Sequence, residues 1–340
     1  MSTRERAPNM YDVARLAKVS HQTVSRVVNN HPGTREETRE RVLRAMEDLS
    51  YRPNRMARAL ASSRSRMIGV LVSDVDLFGP SGMMKAMEVA ARAVGYFAVT
   101  VTIDAHSEDS VLEGVNQLTE LGVDGIVMVT PRTDEVTGAR KALGDIPIVT
   151  VDSMYRVDEL SVSIDNFQGG QVATDYLIGL GHHSILHVSG PPSWFESTAR
   201  ASGYAAAMRT AGFVPRIIEG DWSAESGYEI GVTLDLEVYE TTAILAANDD
   251  LCVGLHHAFW DRKIRVPEDI SLMGFDDIPL APYLNPPLTT MRQDFAELGR
   301  RAIELLADTI EGERARPHEA LVPTLVERSS TASPRTRPGL

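Results

Sequence analysis

Apolar and polar positions near the start of the chain follow the period of short helices. Asn9 stands where a helix cap would, with Asp12 three positions on to face the free amides. Val13, Leu16 and Ala17 then mark one face of a first helix, and the turn Lys18-Val19-Ser20 leads into a second, with Ser20 as its cap. Stepping about 100° per residue, His21, Gln22, Ser25, Arg26 and Asn29 share an arc of about 140°. Val24, Val27 and Val28 lie opposite, and Thr23 stands at the border. Thr34-Arg35-Glu36-Glu37 reads as a capping box, opening a third helix with Val42, Ala45, Met46 and Leu49 at core spacing. Pro53 disfavours helical geometry at Arg52. Asn54 then caps a helix from Arg55 to Leu60 that is too short to stand alone in water, and Ser62 to Arg66 form a linker.

From Met67 the pattern changes to buried strands alternating with helices. Strands are predicted at 67–73, 96–102, 125–129 and 146–151, with helices at 81–94 and 109–121 between them. A second series opens near Gly169: a helix to Leu180, a strand at 184–189, a helix at 198–211 and a strand at 217–218. It continues with a helix from Gly227 to Leu236, a strand at 243–247, a helix after Asp250 and a strand at 270–275. Two doubly wound halves place a ligand crevice at their strand C-termini, between the halves.

Composition narrows the class. At 340 residues, 43% hydrophobic and 24% charged, the chain is that of a globular protein of two or three domains. No apolar run reaches the roughly 20 residues of a membrane span, and no apolar core of a secretory signal follows the N-terminal charges. The single Cys252 precludes an internal disulfide and favours a reducing compartment. The expected location is the cytoplasm, away from membranes. The net charge of −13 conceals a division: residues 1–66 hold 14 Lys and Arg against 7 Asp and Glu, and the remainder holds 20 against 40. A basic head on an acidic body suits phosphate contact at one end only.

The polar arc has the donors and acceptors that major-groove base edges require. Gln22 suits adenine, Arg26 suits guanine, and His21 suits an acceptor or a phosphate. Leu60 would be an apolar wedge for a minor-groove step. The head and the α/β body together resemble the lactose-repressor (LacI) family over nearly the whole chain. That resemblance implies an α/β protein with an N-terminal helix-turn-helix three-helix domain plus hinge helix. A two-subdomain doubly wound parallel-sheet core, like that of periplasmic binding proteins, would follow. Expected boundaries are 1–52 for the DNA-binding domain, 53–66 for hinge helix and linker, 67–164 with 292–320 for the first core subdomain, 165–291 with 321–329 for the second, and 330–340 as a disordered tail. The resemblance implies contacts to double-stranded operator DNA by Tyr11, Ser20, His21, Gln22, Thr23, Ser25, Arg26 and Asn29, and by Asn54, Arg55, Ala57 and Leu60 of the hinge. The lactose type of the family has tyrosine at the His21 position, so the base read there stays open.

A sugar offers an apolar ring face to an aromatic and hydroxyls to guanidinium, carboxylate and amide groups. Asp152, Asn248 and Asp276 stand at predicted strand ends, and Arg200 at the start of the helix after Gly190-Pro191-Pro192. The family resemblance implies that Arg200, Asn248 and Asp276 surround adjacent hydroxyls of the effector, with Asp152 at another, Trp222 under the ring, and Gln293 and Phe295 on the crossover side. Asp249, Asp250 and Asp277 are read instead as helix caps. No spacing suits a metal or a cofactor, and no nucleophile–base set assigns a catalytic residue, so an enzyme is not expected. The reading is a homodimeric repressor of a carbohydrate operon, released by a sugar; the resemblance of Gly220-Asp221-Trp222-Ser223 to the lactose type of the family implies a β-galactoside or related glycoside. Two alternatives stand beside it: a corepressor-type regulator binding a purine, and a sugar-binding or glycoside-processing protein. The absence of leucine heptads after Arg328 argues against a four-chain bundle.

Overall fold

The computed structural model describes residues 8–28, 33–52, 64–73, 75–104, 107–129, 142–152, 160–236, 240–313 and 319–335. They form two compact units, Met1–Ser65 and Arg66–Leu340. Asn29, Asn54, Arg55, Ala57 and Leu60, and with them the expected hinge helix, lie outside the described residues.

The first unit holds α1 (Met10–Ala17), α2 (His21–Val28) and α3 (Glu36–Asp48). Asn9 and Asp12 close a reciprocal capping box: Asn9 Oδ1 accepts from the Tyr11 and Asp12 amides at 2.9 and 3.1 Å, and the Asn9 amide donates to Asp12 Oδ2 at 3.0 Å. Lys18 ends α1 in the left-handed conformation, and Ser20 Oγ accepts the Thr23 amide at 3.1 Å to start α2. Val13, Ala14, Ala17, Val24, Val27, Val42 and Ala45 form the small core. Two expectations fail here. Leu16 is 49% exposed because Ala14, not Leu16, completes the inward face of α1. Thr34 caps nothing, because α3 begins after Arg35, one residue too late for the box, with no side-chain cap.

The second unit is two twisted sheets with helices on both faces. In the first, β1 (Met67–Ser73), β2 (Phe97–Ile103), β3 (Gly125–Val129), β4 (Ile148–Asp152) and β5 (Ser161–Ser163) pair in the order β2-β1-β3-β4-β5. In the second, β6 (Ile185–Ser189), β7 (Arg216–Glu219), β8 (Ala243–Ala246), β9 (Ser271–Asp276), β10 (Thr289–Arg292) and β11 (Thr324–Val326) pair as β11-β10-β9-β8-β6-β7. Every pairing is parallel except β10 with β11. Central strands such as Ile-Gly-Val-Leu-Val in β1 are buried on both faces, which is why they read as continuous apolar runs.

The helices are α4 (Phe78–Ala93) and α5 (Glu108–Glu120) beside the first sheet, then α6 (Asn166–Gly179), α7 (Phe195–Thr210), α8 (Ala224–Thr233) and α9 (Asp249–Asp261) beside the second. The chain then returns: α10 (Phe295–Glu311) follows β10 yet buries Leu298, Ala302, Ile303 and Leu306 in the core of the first sheet. Several helices start earlier than predicted, α4 at Phe78 and α7 at Phe195, because Pro80 is tolerated in a first turn and Trp194 begins α7 without a polar cap. Among the described residues no helix is long and apolar enough to cross a membrane.

The expected disordered tail is corrected for residues 330–335, which pack on the second sheet. Ser330 is 1% exposed; its Oγ donates to the Leu272 carbonyl at 2.6 Å and accepts the Thr289 amide at 2.8 Å. Small hydroxyl side chains of this kind satisfy backbone groups beside a strand, a role that a Ser- and Thr-rich composition alone does not reveal.

Candidate functional site

Within the first unit, α2 turns Val24 and Val27 inward and leaves Gln22 and Arg26 exposed one turn apart. His21 opens the helix with its ring stacked on that of Tyr11, centroids 4.6 Å apart and planes 21° from parallel. Tyr11 is 67% exposed, so the stacked pair borders the surface of the unit. Ser20 and Thr23 share a hydroxyl hydrogen bond of 2.9 Å at the cap. With the Thr23 amide on Ser20 Oγ, their oxygens fix the start of α2.

In the second unit, strand C-termini from both sheets line one cleft, with about 760 Å³ of atom-free space, part of it open to solvent. Ser73, Val129 and Val151 contribute from β1, β3 and β4; Asn248, Asp276 and Gln293 contribute from the ends of β8, β9 and β10. This is where a doubly wound sheet exposes its loops and helix N-termini to a ligand.

Arg200 organises the polar end. It projects from α7, whose entry is fixed by Ser197 donating to the Gly190 carbonyl at 2.7 Å. Its Nε donates to Asn166 Oδ1 at 2.8 Å, Nη1 donates to the Ala247 carbonyl, and Nη2 lies 3.5 Å from Asp276 Oδ1. The guanidinium carbon sits 3.9 Å from the centre of the Phe275 ring. Of the five donors a guanidinium carries, two are thus engaged by Asn166 and Ala247, and Nη2 faces Asp276. Burial pulls the Arg200 pKa down, while Asp276, Glu196 and Asp249 oppose the shift. Burial raises the Asp276 carboxyl to about 6, against Arg200 and the Gln293 amide, which both favour its ionised form.

Around this pair the backbone is unusual. Trp222, Asp276 and Asp277 have φ of 77°, 109° and 58°, conformations that persist only where the surroundings fix them. Asn248 Nδ2 holds the Trp222 carbonyl at 2.9 Å. Asp277 is clasped by Arg328 and Arg292, both at 2.6 Å. Gln293 donates to Asp276.

Comparison with known proteins gives the same architecture. The description "Bacterial regulatory proteins, lacI family" matches residues 9–54, and "Periplasmic binding protein-like domain" matches residues 174–331. The lactose operon repressor of Escherichia coli (strain K12) is 32% identical over 330 residues, 96% of this chain and 92% of its own. A Lac repressor dimer bound to operator and the anti-inducer ONPF superposes with a TM-score of 0.88, covering 96% of this chain and 100% of that one. The chain belongs to the lacI family of bacterial regulatory proteins. Other relatives are the transcriptional repressor PurR of Vibrio atlanticus (strain LGP32), 35% identical over 94% of this chain and 97% of its own, and a regulator in a CelR–cellobiose complex. The latter is 30% identical, with a TM-score of 0.71 over 95% of this chain and 99% of that one. This lacI-family chain is thus a DNA-binding transcriptional repressor with a small-molecule-binding core, and not an enzyme.

Of the effector residues expected in this repressor, Arg200, Trp222, Asn248, Asp276, Gln293 and Phe295 come together in the cleft. Asp152 closes β4, but its side chain lies outside the described set. The assignment of caps is corrected: Asn248, not Asp249, caps α9, accepting the Leu251 amide at 2.9 Å. Asp249 is fully buried, taking the Thr290 hydroxyl at 2.7 Å and the Ile278 amide at 2.9 Å, and Asp277 is an ion-pair hub. Sequence reasoning missed Asn166, Phe78, Trp194 and Glu196, which also line the cleft. A tryptophan and a glutamate in the loop after a strand end, at Pro192-Ser193-Trp194-Phe195-Glu196, were the available signal. Among the described residues no His, Cys, Asp and Glu group suits a metal ion, and Cys252 is buried with its thiol pKa pushed up by burial.

Proposed function

We propose that this chain is a cytoplasmic, homodimeric repressor that leaves a pseudo-palindromic operator when a neutral sugar, a β-galactoside or related glycoside, binds the core cleft. The observation that carries the reading is Arg200 with Asp276 and Asn248 at the strand ends, beside the aromatic rings of Trp222, Trp194 and Phe295. Hydroxyls pair with the polar set and ring C–H faces with the aromatic one. The Lac repressor dimer on operator and the CelR–cellobiose complex support both the dimer and the carbohydrate. At the head, His21, Gln22 and Arg26 read base edges, and Tyr11 holds the His21 ring in place.

Operator and effector affinities are linked, so each weakens the other by the same factor. An operator shift assay with a panel of neutral glycosides tests the reading. At least one releases the operator; if none changes operator affinity at saturation, the inducer model is wrong. The PurR relative favours a second reading, a purine corepressor. In the same assay hypoxanthine would then tighten operator binding, and calorimetry would show it, rather than a glycoside, in the cleft.

A further inference from the structure

Arg66 is the first residue of the second unit and stands directly before β1. Its φ of 56° is left-handed, a region that a long side chain rarely adopts. Contacts within the second unit hold it there. The Arg66 amide donates to Asp124 Oδ2 at 2.9 Å, and its carbonyl accepts the Phe97 amide at 2.9 Å. Its Nη1 pairs with Glu311 Oε1 at 3.3 Å, and its guanidinium carbon lies 5.1 Å from the centre of the Tyr96 ring. Tyr96, itself buried, donates its hydroxyl to the same Glu311 oxygen at 3.3 Å. The starts of three neighbouring strands, β1, β2 and β3, thus meet the last residue of α10 at Arg66.

Stability does not account for this arrangement. The Arg66 and Glu311 side chains are 51% and 40% exposed, and an ion pair so exposed contributes little to folding. A left-handed arginine works against it. What the contacts fix is the course of the backbone at Arg66, where the chain passes from β1 back to Ser65 and Arg64.

Glu311 is also the far end of a helix that starts at the cleft. α10 has 17 residues, about 25 Å at the rise of a helix. Phe295 and Leu298, in its first turns, line the cleft, and Gln293, just before its cap Asp294, donates to Asp276. Phe295 meets Phe78, another cleft residue, edge to face with centroids 5.8 Å apart. Between the two ends α10 buries Ala302, Ile303 and Leu306 in the core of the first sheet. Gly299 brings it against α4 so closely that a Cβ there would fall 3.1 Å from the Met87 amide nitrogen. A helix packed this tightly shifts as one piece.

We infer that Arg66, clasped by Glu311, Asp124 and Tyr96, is a positioning residue for operator binding, and that α10 is the rod through which a ligand in the cleft acts on it. With the clasp closed, the chain leaves the core on one course, and operator binding has less freedom to remove. A ligand that shifts Phe295 and Leu298 shifts Glu311 with them and changes the hold on Arg66. The inference is independent of the effector's chemical class.

Fluorescence anisotropy on the full-length protein provides the test, with a duplex that the wild-type chain selects from a random pool and a shuffled duplex beside it. Arg66→Gln and Glu311→Gln each weaken the selected duplex about fivefold or more and lower its preference over the shuffled one. Arg66→Lys, which keeps the charge facing Glu311, stays within about threefold of the wild type. By charge alone Glu311→Gln would instead tighten both duplexes. That outcome, or an equal loss on both, overturns the clasp. A double-mutant cycle reads the role of α10: Phe295→Leu, at the cleft end, changes affinity for the selected duplex about threefold or more alone, and less than about twofold beside Glu311→Gln. If the two substitutions act independently, or if Phe295→Leu changes nothing, α10 does not carry the link. If the wild-type chain selects no duplex, the clasp and the repressor reading fall together.

Discussion

Arg200 and Asp276 face each other across 3.5 Å at the polar end of the cleft, with side chains 5% and 10% exposed. Two opposite charges at that depth hold each other in place, and removing one leaves the other buried and uncompensated. Arg200→Ala is expected to lose about 3–5 kcal/mol of unfolding free energy, by the same reasoning. Adding Asp276→Asn should recover part of that loss, and urea titration of the two single variants and the double variant reads the coupling. Strict additivity would show that the pair does not act as a unit. Effector response is lost in all three.

Asp249 makes stability depend on pH. Burial, with Asp276 adding to it, raises its carboxyl from 3.8 to about 8 in the folded chain. Between those values the folded state binds a proton that the unfolded state has released, so its contribution is complete below pH 3.8 and is lost as pH rises through 8. Asp276, raised to about 6, acts in the same direction over a narrower window. Asp249→Asn keeps the protonated shape: its carbonyl still accepts from Ile278 and its amide donates to the Thr290 hydroxyl. Relative to the parent, the variant should gain stability from pH 5 to pH 8, by up to ~1.4 kcal/mol for each pH unit. Urea midpoints at both pH values measure this, and an unchanged difference would mean that Asp249 is not the titrating group.

Helix packing sets where Arg200 stands. A Cβ on Gly203 of α7 would lie 2.0 Å from the Phe167 carbonyl oxygen on α6, and one on Gly170 of α6 would lie 2.3 Å from the Arg200 carbonyl oxygen. The two helices touch backbone to backbone. Gly203→Ala must push them apart, costing about 1–3 kcal/mol as overpacking does and displacing Arg200 from Asn166 and Asp276. A thermal melt should show the loss, and effector affinity should fall although residue 203 does not line the cleft. Wild-type effector affinity in a destabilised variant would uncouple the packing from the site.

These cases also explain what was legible in the sequence. The order of strands and helices was readable because central parallel strands bury both faces and so appear as apolar runs between helical periods. Asn248 and Asp276 were readable because they stand at strand C-termini, where such folds bind ligands, and Arg200, on α7, through the family resemblance. Trp194 and Glu196 were missed because they lie beyond the strand, in a first turn placed one turn too late at Thr198. Asp249 was misread because it and Asn248 are both good caps, and only the tertiary contacts with Thr290 and Ile278 decide between them. The packed residues 330–335 were missed for a similar reason: Ser330 looks like tail composition until Leu272 and Thr289 are beside it.

Gln22 and Arg64 separate reading from holding. Gln22 is exposed on the polar side of α2, opposite buried Val24 and Val27, where its amide suits the paired donor and acceptor of adenine in the major groove. Its removal should cost about 1–3 kcal/mol on operator DNA and little on random DNA. Arg64 lies in the Ser-Arg stretch at the end of the first unit, and a guanidinium that meets phosphates there would do so on DNA of any sequence. Arg64→Ala should therefore weaken operator and random DNA by similar factors and flatten the salt dependence by about one phosphate contact. Fluorescence anisotropy on both DNAs at two salt concentrations distinguishes the two behaviours. An equal loss on operator and random DNA for Gln22→Ala would remove that residue from the reading face and leave Arg26 and the Tyr11–His21 stack to carry the sequence preference.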